Sequence, residues 1–326
     1  MSVDAQLLSI LRAAGQDYVS GSELSQELGI SRSMLRTQVE GLCELGYEIA
    51  VSPHHGYCLL DVPDLLHADD LFSRLGKTKV IGRDIQVFDK TTSTNDVVEK
   101  LARDGVKEGA VVFAEAQTKG RGRLGRKWIS PPRKGLWFSV LLRPDLRPQA
   151  ATQLTIMAAT ALVRAIQEQS GLWAEIKWPN DLLLRGKKVA GILTELSAEL
   201  DRVKWVVLGI GLNINLNAGE FAPELRPLAT SLKIETGRTF DRAALAASIL
   251  RELDTNYARI SAGDFESVAN EWQERCATIG RNVTILIGDL RLQGRAESLD
   301  DDGALILRTQ HGHVERVLSG DVRLET

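Results

Sequence analysis

A seven-residue segment, Gly120-Arg-Gly-Arg-Leu-Gly-Arg126, limits what this chain can fold into more than any other part of it. It follows a strand-like run, Ala110-Val-Val-Phe-Ala-Glu-Ala-Gln117, and precedes another, Leu136-Trp-Phe-Ser-Val-Leu-Leu142. Gly120, Gly122 and Gly125 satisfy GxGxxG, the spacing that opens a dinucleotide-binding helix. No helix opens here, because Lys127-Trp-Ile-Ser-Pro-Pro132 is broken by two prolines and leads into a strand. A dinucleotide loop also has no use for three guanidinium groups. The Rossmann reading fails. Glycines let backbone N–H groups close on an anion, while Arg121, Arg123 and Arg126 add charge and bidentate donors. Such a loop suits a nucleoside triphosphate or an acyl phosphate; the competing reading is a mobile surface loop or an RNA-binding one. Trp128 and Ile129 follow at once and are expected to anchor the loop to a core.

The chain has 326 residues, 44% of them hydrophobic and 25% charged, which excludes a disordered or low-complexity protein. Forty Lys and Arg stand against 43 Asp and Glu, so a general basic coat for nucleic acid is absent and any DNA contact must be local. Cys43, Cys58 and Cys276 lie far apart with no metal-ligand spacing to the histidines, which argues against a disulfide framework or a structural zinc. The start of the chain does not read as a signal peptide, and no apolar run approaches the roughly 18 residues that span a bilayer. The expectation is a reduced, soluble, cytoplasmic protein.

The first sixty residues read as a unit. Leu7, Leu8, Ile10 and Leu11 make a short amphipathic helix that fades at Gly15. Ser20-Gly-Ser-Glu23 has the form of a capping box for a second helix, which stops at Gly29. Ser31 caps a third, whose Leu35, Val39 and Leu42 share one face. Tyr47, Ile49 and Val51 then alternate, Ser52-Pro-His-His-Gly56 turns, and Tyr57 to Leu60 returns. Three helices and a hairpin are the winged helix-turn-helix order, in which the third helix presents Arg32, Ser33, Arg36 and Thr37 to a major groove. The alternative is a small domain for protein contacts. Residues 1–60 carry three arginines, no lysine and seven acids, so a dimer pairing two such helices binds DNA better than a monomer.

Asp61-Val-Pro63-Asp reads as a linker, which sets a first domain at 1–63. The middle, 64–276, alternates strands and helices without a repeat. Residues 277–326 read as short strands with tight turns, beginning with Asn282-Val-Thr-Ile-Leu-Ile287, and are expected to form a small SH3-like β-barrel. The fold class is α+β.

Three further segments of the middle domain carry polar function. Thr91-Thr-Ser-Thr-Asn-Asp96 precedes Val97, Val98 and Leu101; it reads as a helix N-cap, or as a binder of a small polar ligand. Ile176-Lys-Trp-Pro-Asn-Asp181 is a turn between apolar runs, yet Lys177, Asn180, Asp181 and Lys188 crowd around it, with Val189-Ala-Gly191 beyond. Val206-Val-Leu-Gly-Ile-Gly-Leu-Asn-Ile-Asn215 is a buried strand ending in two asparagines, which is odd for pure core.

Together these segments resemble the biotin–protein ligase family, and more closely its bifunctional members that also repress biotin synthesis genes. The resemblance covers nearly the whole chain: winged helix, central mixed α/β ligase core and C-terminal barrel. The chain departs from the family at Leu124, where a second arginine is usual. The resemblance implies ATP and Mg2+ as partners of biotin, with biotinyl-5′-AMP formed and passed to a lysine of the biotin carboxyl carrier protein of acetyl-CoA carboxylase. It implies that Ser93, Thr94 and Asn95 hold the ureido end of biotin with Gln117 beside them. Arg121 and Arg123 would meet the carboxylate side and the adenylate phosphate, on a loop that orders with ligand. Lys188 would contact the biotin carboxylate during adenylation. Arg126, Asn180 and Asn213 would line the nucleotide, and Asp181 would sit near the magnesium and the attacking amine. Gly120, Gly122, Trp128, Lys177 and Gly191 complete the expected contact set.

The residue types suit that chemistry. Charge builds on phosphoryl oxygens, which Arg, Lys and a metal ion stabilise, and no enzyme nucleophile is needed. Lys188, Arg123 and Asp181 are the expected catalytic groups. The alternatives are a lipoate-type ligase, a sensor that binds biotin without transferring it, and a ligase whose winged helix no longer binds DNA. If both activities exist, adenylate-driven ordering of the loops is expected to create a homodimer that reads operator DNA.

Overall fold

The computed structural model describes residues 2–324, which divide into two compact units. One comprises the chain up to Lys77 together with Asp241–Ala247; the other comprises Thr78–Phe240 and the residues from Ser248 onward. No helix among the described residues is long and apolar enough to cross a membrane.

The first unit opens with three helices, α1 (Val3–Ala13), α2 (Gly21–Leu28) and α3 (Arg32–Glu44). Their starts follow the sequence. Ser2, Ser20 and Ser31 each accept a backbone N–H three residues on, and Gly29 ends α2 in the left-handed region at φ 66°. Leu7, Leu8, Leu11, Leu24, Leu35 and Leu42 are fully buried in one core with Val39 and Tyr47. Truncating any of these leucines costs about 2–5 kcal/mol. Strands β1 (Glu48–Ser52) and β2 (Gly56–Asp61) pair antiparallel as the expected wing.

The segment read as a linker sits within this unit. Asp64 accepts from Arg242 Nε at 2.7 Å, and α4 (Ala68–Leu75) follows. Asp70 of α4 is 3% exposed and is met by two arginines: Arg12, and Arg74 at 2.9 Å.

The second unit is built on a seven-stranded mixed sheet. In chain order it contains β3 (Asp84–Thr91), α5 (Thr94–Arg103), β4 (Ala110–Gln117), β5 (Gly135–Leu142), α6 (Thr152–Ser170), β6 (Glu175–Lys177), β7 (Asp181–Leu184), β8 (Lys187–Glu199) and β9 (Arg202–Asn213). Then come α7 (Leu232–Thr236), α8 (Arg242–Ser261), whose first residues belong to the other unit, and α9 (Phe265–Glu274). The strand order is β3-β4-β5-β9-β8-β7-β6. Only β3 and β4 are parallel, joined by the crossover helix α5; the other pairs are antiparallel. All eight residues of β5 are buried, as a central strand covered on both faces requires.

Beyond α9, strands β10 (Asn282–Ile287), β11 (Leu290–Leu299), β12 (Leu305–Thr309), β13 (Val314–Val317) and β14 (Asp321–Leu324) form an antiparallel sheet. Its order is β13-β12-β11-β10-β14, a small all-β appendage of the expected size.

Candidate functional site

The site is a cavity of about 440 Å3 in the second unit, a volume suited to a small-molecule ligand. Its floor is sheet backbone. Trp137 of β5 stands opposite Gly211 of β9, Gly211 opposite Gly191 of β8, and Gly191 opposite Asp181 of β7. Two residues along the same pair of strands, Ser139 stands opposite Gly209. The glycines make room for side chains arriving from elsewhere. A Cβ on Gly211 would lie 2.4 Å from the Trp128 ring, and one on Gly209 would lie 2.2 Å from Asn95 Oδ1. Gly191 is tight as well, with Lys188 Cε 3.0 Å and Trp128 Cζ3 3.1 Å from its would-be Cβ. Glycine inside a strand marks just such a close approach.

Trp128 therefore lies on the floor, with its ring edge toward Trp137 (centroids 6.2 Å apart) and Lys188 Nζ 5.3 Å above it. Lys188 also pairs with Asp181 Oδ1 at 2.6 Å. Both sit on one hairpin: β7 and β8 join through the Arg185-Gly186 turn, so residues seven apart come together. Lys188 is further tied to the chain ahead, its N–H donating to Leu228 O and its carbonyl accepting from Thr230 N–H.

The glycine-arginine loop folds back on itself. Trp128 N–H donates to Gly120 O at 2.9 Å and Gly122 N–H to Arg126 O at 2.7 Å. Leu124, the residue that departs from the family, takes the left-handed conformation at φ 56° and is 74% exposed. Arg121 pairs with Asp96 at 2.7 Å and lies 3.5 Å from Glu195. Burial works against its charge, but the Asp96 hydrogen bond and the Glu195 charge together raise its pKa. Arg123 donates to Asn180 Oδ1 at 3.1 Å and to Gly320 O at 3.4 Å. Burial lowers the pKa of Arg123, against the pull of Asp321 and Asp181, so a phosphate here would meet a guanidinium already stripped of much of its water. Arg126 pairs with Asp321 of β14.

Ser93, Thr94 and Asn95 open α5 and are buried. Ser93 holds the N-cap position but its side chain caps nothing; Gln117 Oε1 instead accepts Thr94 N–H at 2.8 Å. The N-cap reading of this segment is thus corrected: its side chains face the cavity, and a residue of β4 supplies the cap. One side of the cavity is apolar, lined by Trp128, Leu216, Phe221, Leu225 and Ala229, with the buried Trp137 packed in the same cluster.

Of the residues singled out in the sequence, Ser93, Thr94, Asn95, Gln117, Arg121, Gly122, Arg123, Arg126, Trp128, Lys177, Asn180, Asp181, Lys188, Gly191 and Asn213 all line this one cavity. Gly120 does not. It is buried, with a Cβ there falling 2.5 Å from Trp128 O, so its task is to let the loop close. Ile129 does not anchor the loop to a core, being 50% exposed at the cavity's edge. Of the two asparagines expected to end this strand, Asn213 does end β9, lines the cavity and donates to Thr230 O, while Asn215 lies beyond it, locked on the backbone of Phe240.

Sequence reasoning missed Ser139, Gly209, Gly211, Asp321 and the apolar wall around Phe221. The Gly-Ile-Gly of β9 carried a signal, since two alternating glycines in an apolar strand imply that something presses on one face. Among the described residues, no group of three or more His, Cys, Asp or Glu could hold a metal ion alone.

In the first unit, Arg32, Ser33, Arg36 and Thr37 are exposed on α3. Arg32 bonds Ser22, Arg36 bonds Glu40 at 2.7 Å, and Thr37 donates to Ser33 O.

The comparisons with known proteins agree with this layout. Models of the biotin/lipoate A/B protein ligase family, an HTH domain and the biotin protein ligase C-terminal domain match residues 87–213, 4–58 and 278–324. The biotin protein ligase from Aquifex aeolicus, solved in complex with biotin and ATP, superposes with a TM-score of 0.64 at 30% identity, covering 74% of this chain and 99% of that one. The chain is 37% identical over 319 residues to the bifunctional ligase/repressor BirA of Bacillus subtilis, which is 98% of this chain and 97% of that protein. With the Escherichia coli protein of the same name it shares 30% identity over 326 residues, covering 100% and 98%. The chain belongs to the biotin protein ligase family, with the three-part organisation of its bifunctional relatives.

Proposed function

We propose that this protein is an ATP-dependent biotin–protein ligase that forms biotinyl-5′-AMP and passes biotin to a lysine of the carboxyl carrier protein of acetyl-CoA carboxylase. The observation that carries this reading is the meeting of Lys188, Asp181 and three loop arginines around one cavity with one apolar side. In the first step the biotin carboxylate attacks the α-phosphorus of ATP and pyrophosphate leaves. Lys188 neutralises the carboxylate as it approaches, and Arg121 and Arg123 bear the charge that grows on the phosphoryl oxygens. The apolar wall of Leu216, Phe221 and Leu225 suits a flat base, with Arg126, Asn180 and Asn213 at its polar edge.

Magnesium takes oxygen ligands and commonly arrives with the nucleotide's phosphates; Asp181 is the cavity carboxylate that would meet it, and the ion would offset the negative charge on the phosphoryl oxygens. In the second step the acceptor lysine attacks the carbonyl of the mixed anhydride and AMP leaves. Asp181 is positioned to take the proton from that amine at its carboxylate. The closed loop keeps water from the anhydride meanwhile.

The N-terminal unit adds a second role. The winged helix-turn-helix presents Arg32, Ser33, Arg36 and Thr37 for operator DNA, and the protein acts as a biotin-responsive repressor of biotin synthesis genes. Formation of the adenylate drives a homodimer that pairs two such helices.

The test is transfer of labelled biotin, against lipoate, to a purified apo-carrier domain with magnesium and ATP. Biotin alone is transferred, and Lys188→Ala lowers the rate by about 100-fold or more while leaving the circular dichroism unchanged. Equal transfer of lipoate, or full activity in the variant, overturns the reading.

A further inference from the structure

Behind the end of the cavity lined by Ser93, Thr94 and Asn95 runs a chain of hydrogen bonds whose direction is fixed from outside. Asn95 is 4% exposed, and its Nδ2 donates to Glu195 Oε2 at 2.6 Å. A carboxylate only accepts, so this contact decides which way the Asn95 amide faces. Its Oδ1 is thereby turned to Ser139 Oγ, 2.5 Å away, and Ser139 must spend its one proton there. Thr94 Oγ1 lies 2.7 Å from Ser139 Oγ and 3.2 Å from Gln117 Oε1; with Ser139 committed, the single Thr94 proton is spent within this network, on one or the other acceptor. At the other end, Thr94 N–H donates to Gln117 Oε1 at 2.8 Å, which leaves Gln117 Nε2 to donate to Ser130 Oγ at 2.9 Å.

A carboxylate at one end and a backbone N–H at the other thus sort every polar atom between them. The oxygens of Thr94 and Asn95 are left with lone pairs rather than protons toward the cavity. Glu195 itself is not among the residues lining that cavity. It acts through others.

We propose that Glu195 is a positioning residue for ligand recognition: through Asn95 it orients the Ser139 and Thr94 hydroxyls so that this end of the cavity offers acceptors to the ring N–H groups of a cyclic urea. The inference rests on the reading of the cavity as a biotin site. Three features make Glu195 suited to the task. It stands on β8, where Glu195 pairs with Val207 two residues from Gly209, so its height above the sheet is set by the same strands that form the floor. The missing Cβ of Gly209 is what lets Asn95 lie flat enough to reach both Glu195 and Ser139. Arg121 has a second anchor in Asp96 at 2.7 Å, so removing Glu195 releases Asn95 while Arg121 keeps its place.

The experiment is equilibrium binding of biotin and, separately, of ATP to the full-length protein by calorimetry, with thermal unfolding as a control. Four proteins are compared: the wild type, Glu195→Ala, Glu195→Gln and Ser139→Ala. Loss of a charge-assisted contact that orders a buried amide is expected to weaken biotin about tenfold or more in Glu195→Ala, with ATP affinity within twofold of the wild type. Glu195→Gln keeps an acceptor for Asn95 Nδ2 and recovers most of the lost affinity. Ser139→Ala breaks the chain one link further in and shows the same biotin-selective loss. A purely structural role predicts the opposite pattern: a lower melting temperature, no selectivity between ligands and no rescue by glutamine. Biotin affinity within twofold of wild type in Glu195→Ala overturns the proposal alone. A wild-type protein that does not bind biotin overturns the site reading and this inference together.

Discussion

The two sets of candidate functional residues in this chain are assembled in opposite ways. Arg32, Ser33, Arg36 and Thr37 lie within six positions on one helix, and their hydrogen bonds run to neighbours such as Glu40, Ser33 and Ser22. The cavity takes its residues from α5, β4, β5, the arginine loop, β7, β8, β9 and β14, and one of its ion pairs joins positions 195 apart. A helix carries its own face wherever it goes. A cavity floor exists only when four strands are in register. Damage should therefore stay where it is made in the first set and spread in the second.

Gly211→Val is the sharpest way to test that difference. The new side chain would occupy the seat of Trp128, and Trp128 is packed against Lys188 and bonded through its backbone to Gly120. Affinity for both biotin and ATP is expected to fall by about 100-fold or more, with about 1–3 kcal/mol lost from stability through overpacking. Calorimetry and a denaturant titration check this; an effect on one ligand only would show that the site is less unified than its geometry implies.

Arg36→Ala is the corresponding change in the N-terminal unit. Arg36 must exchange Glu40 for a phosphate or a base edge, so operator affinity should fall about tenfold, while biotin transfer is unchanged. A mobility-shift titration beside a transfer assay reads both. A drop in transfer would break the comparison, because a helix-local change would then have reached the other unit's chemistry.

The smallest readout is a factor of two in mass. Sedimentation with biotin and ATP together should show a dimer where either alone leaves a monomer. Unchanged mass removes the coupling and leaves two functions that merely share a chain.

These contrasts explain what the sequence made legible. The caps Ser20, Ser31 and Gly29, the leucine face of α3 and the wing hairpin all depend on residues within a few positions, and each was readable from spacing. Lys188 and Asp181 were readable for the same reason, since one tight hairpin brings them together. Ser139 and Glu195 were not. Nothing near Ser139 in the chain distinguishes it from any serine in a buried strand; only the register of β5 against β9 sets it over Gly209 and beneath Asn95. Asp321 was illegible because its partner Arg126 is brought to it by the placing of the C-terminal sheet. Thr91–Asp96 was half legible. Its polarity announced a role, but the capping of α5 by Gln117 rather than Ser93 depends on the parallel pairing of β3 with β4.

The glycine floor has a consequence for how such a protein can diverge. Where a pocket is lined by side chains, a codon change can enlarge, shrink or recolour it. Gly191, Gly209 and Gly211 have nothing to remove, and each already sits beneath atoms of Lys188, Trp128 or Asn95. Every substitution at these three codons adds bulk to space already taken. New ligand preferences must therefore arise in the walls, from residues such as Leu216, Phe221 and Leu225, while the surface beneath the ligand admits change in one direction only, toward closure.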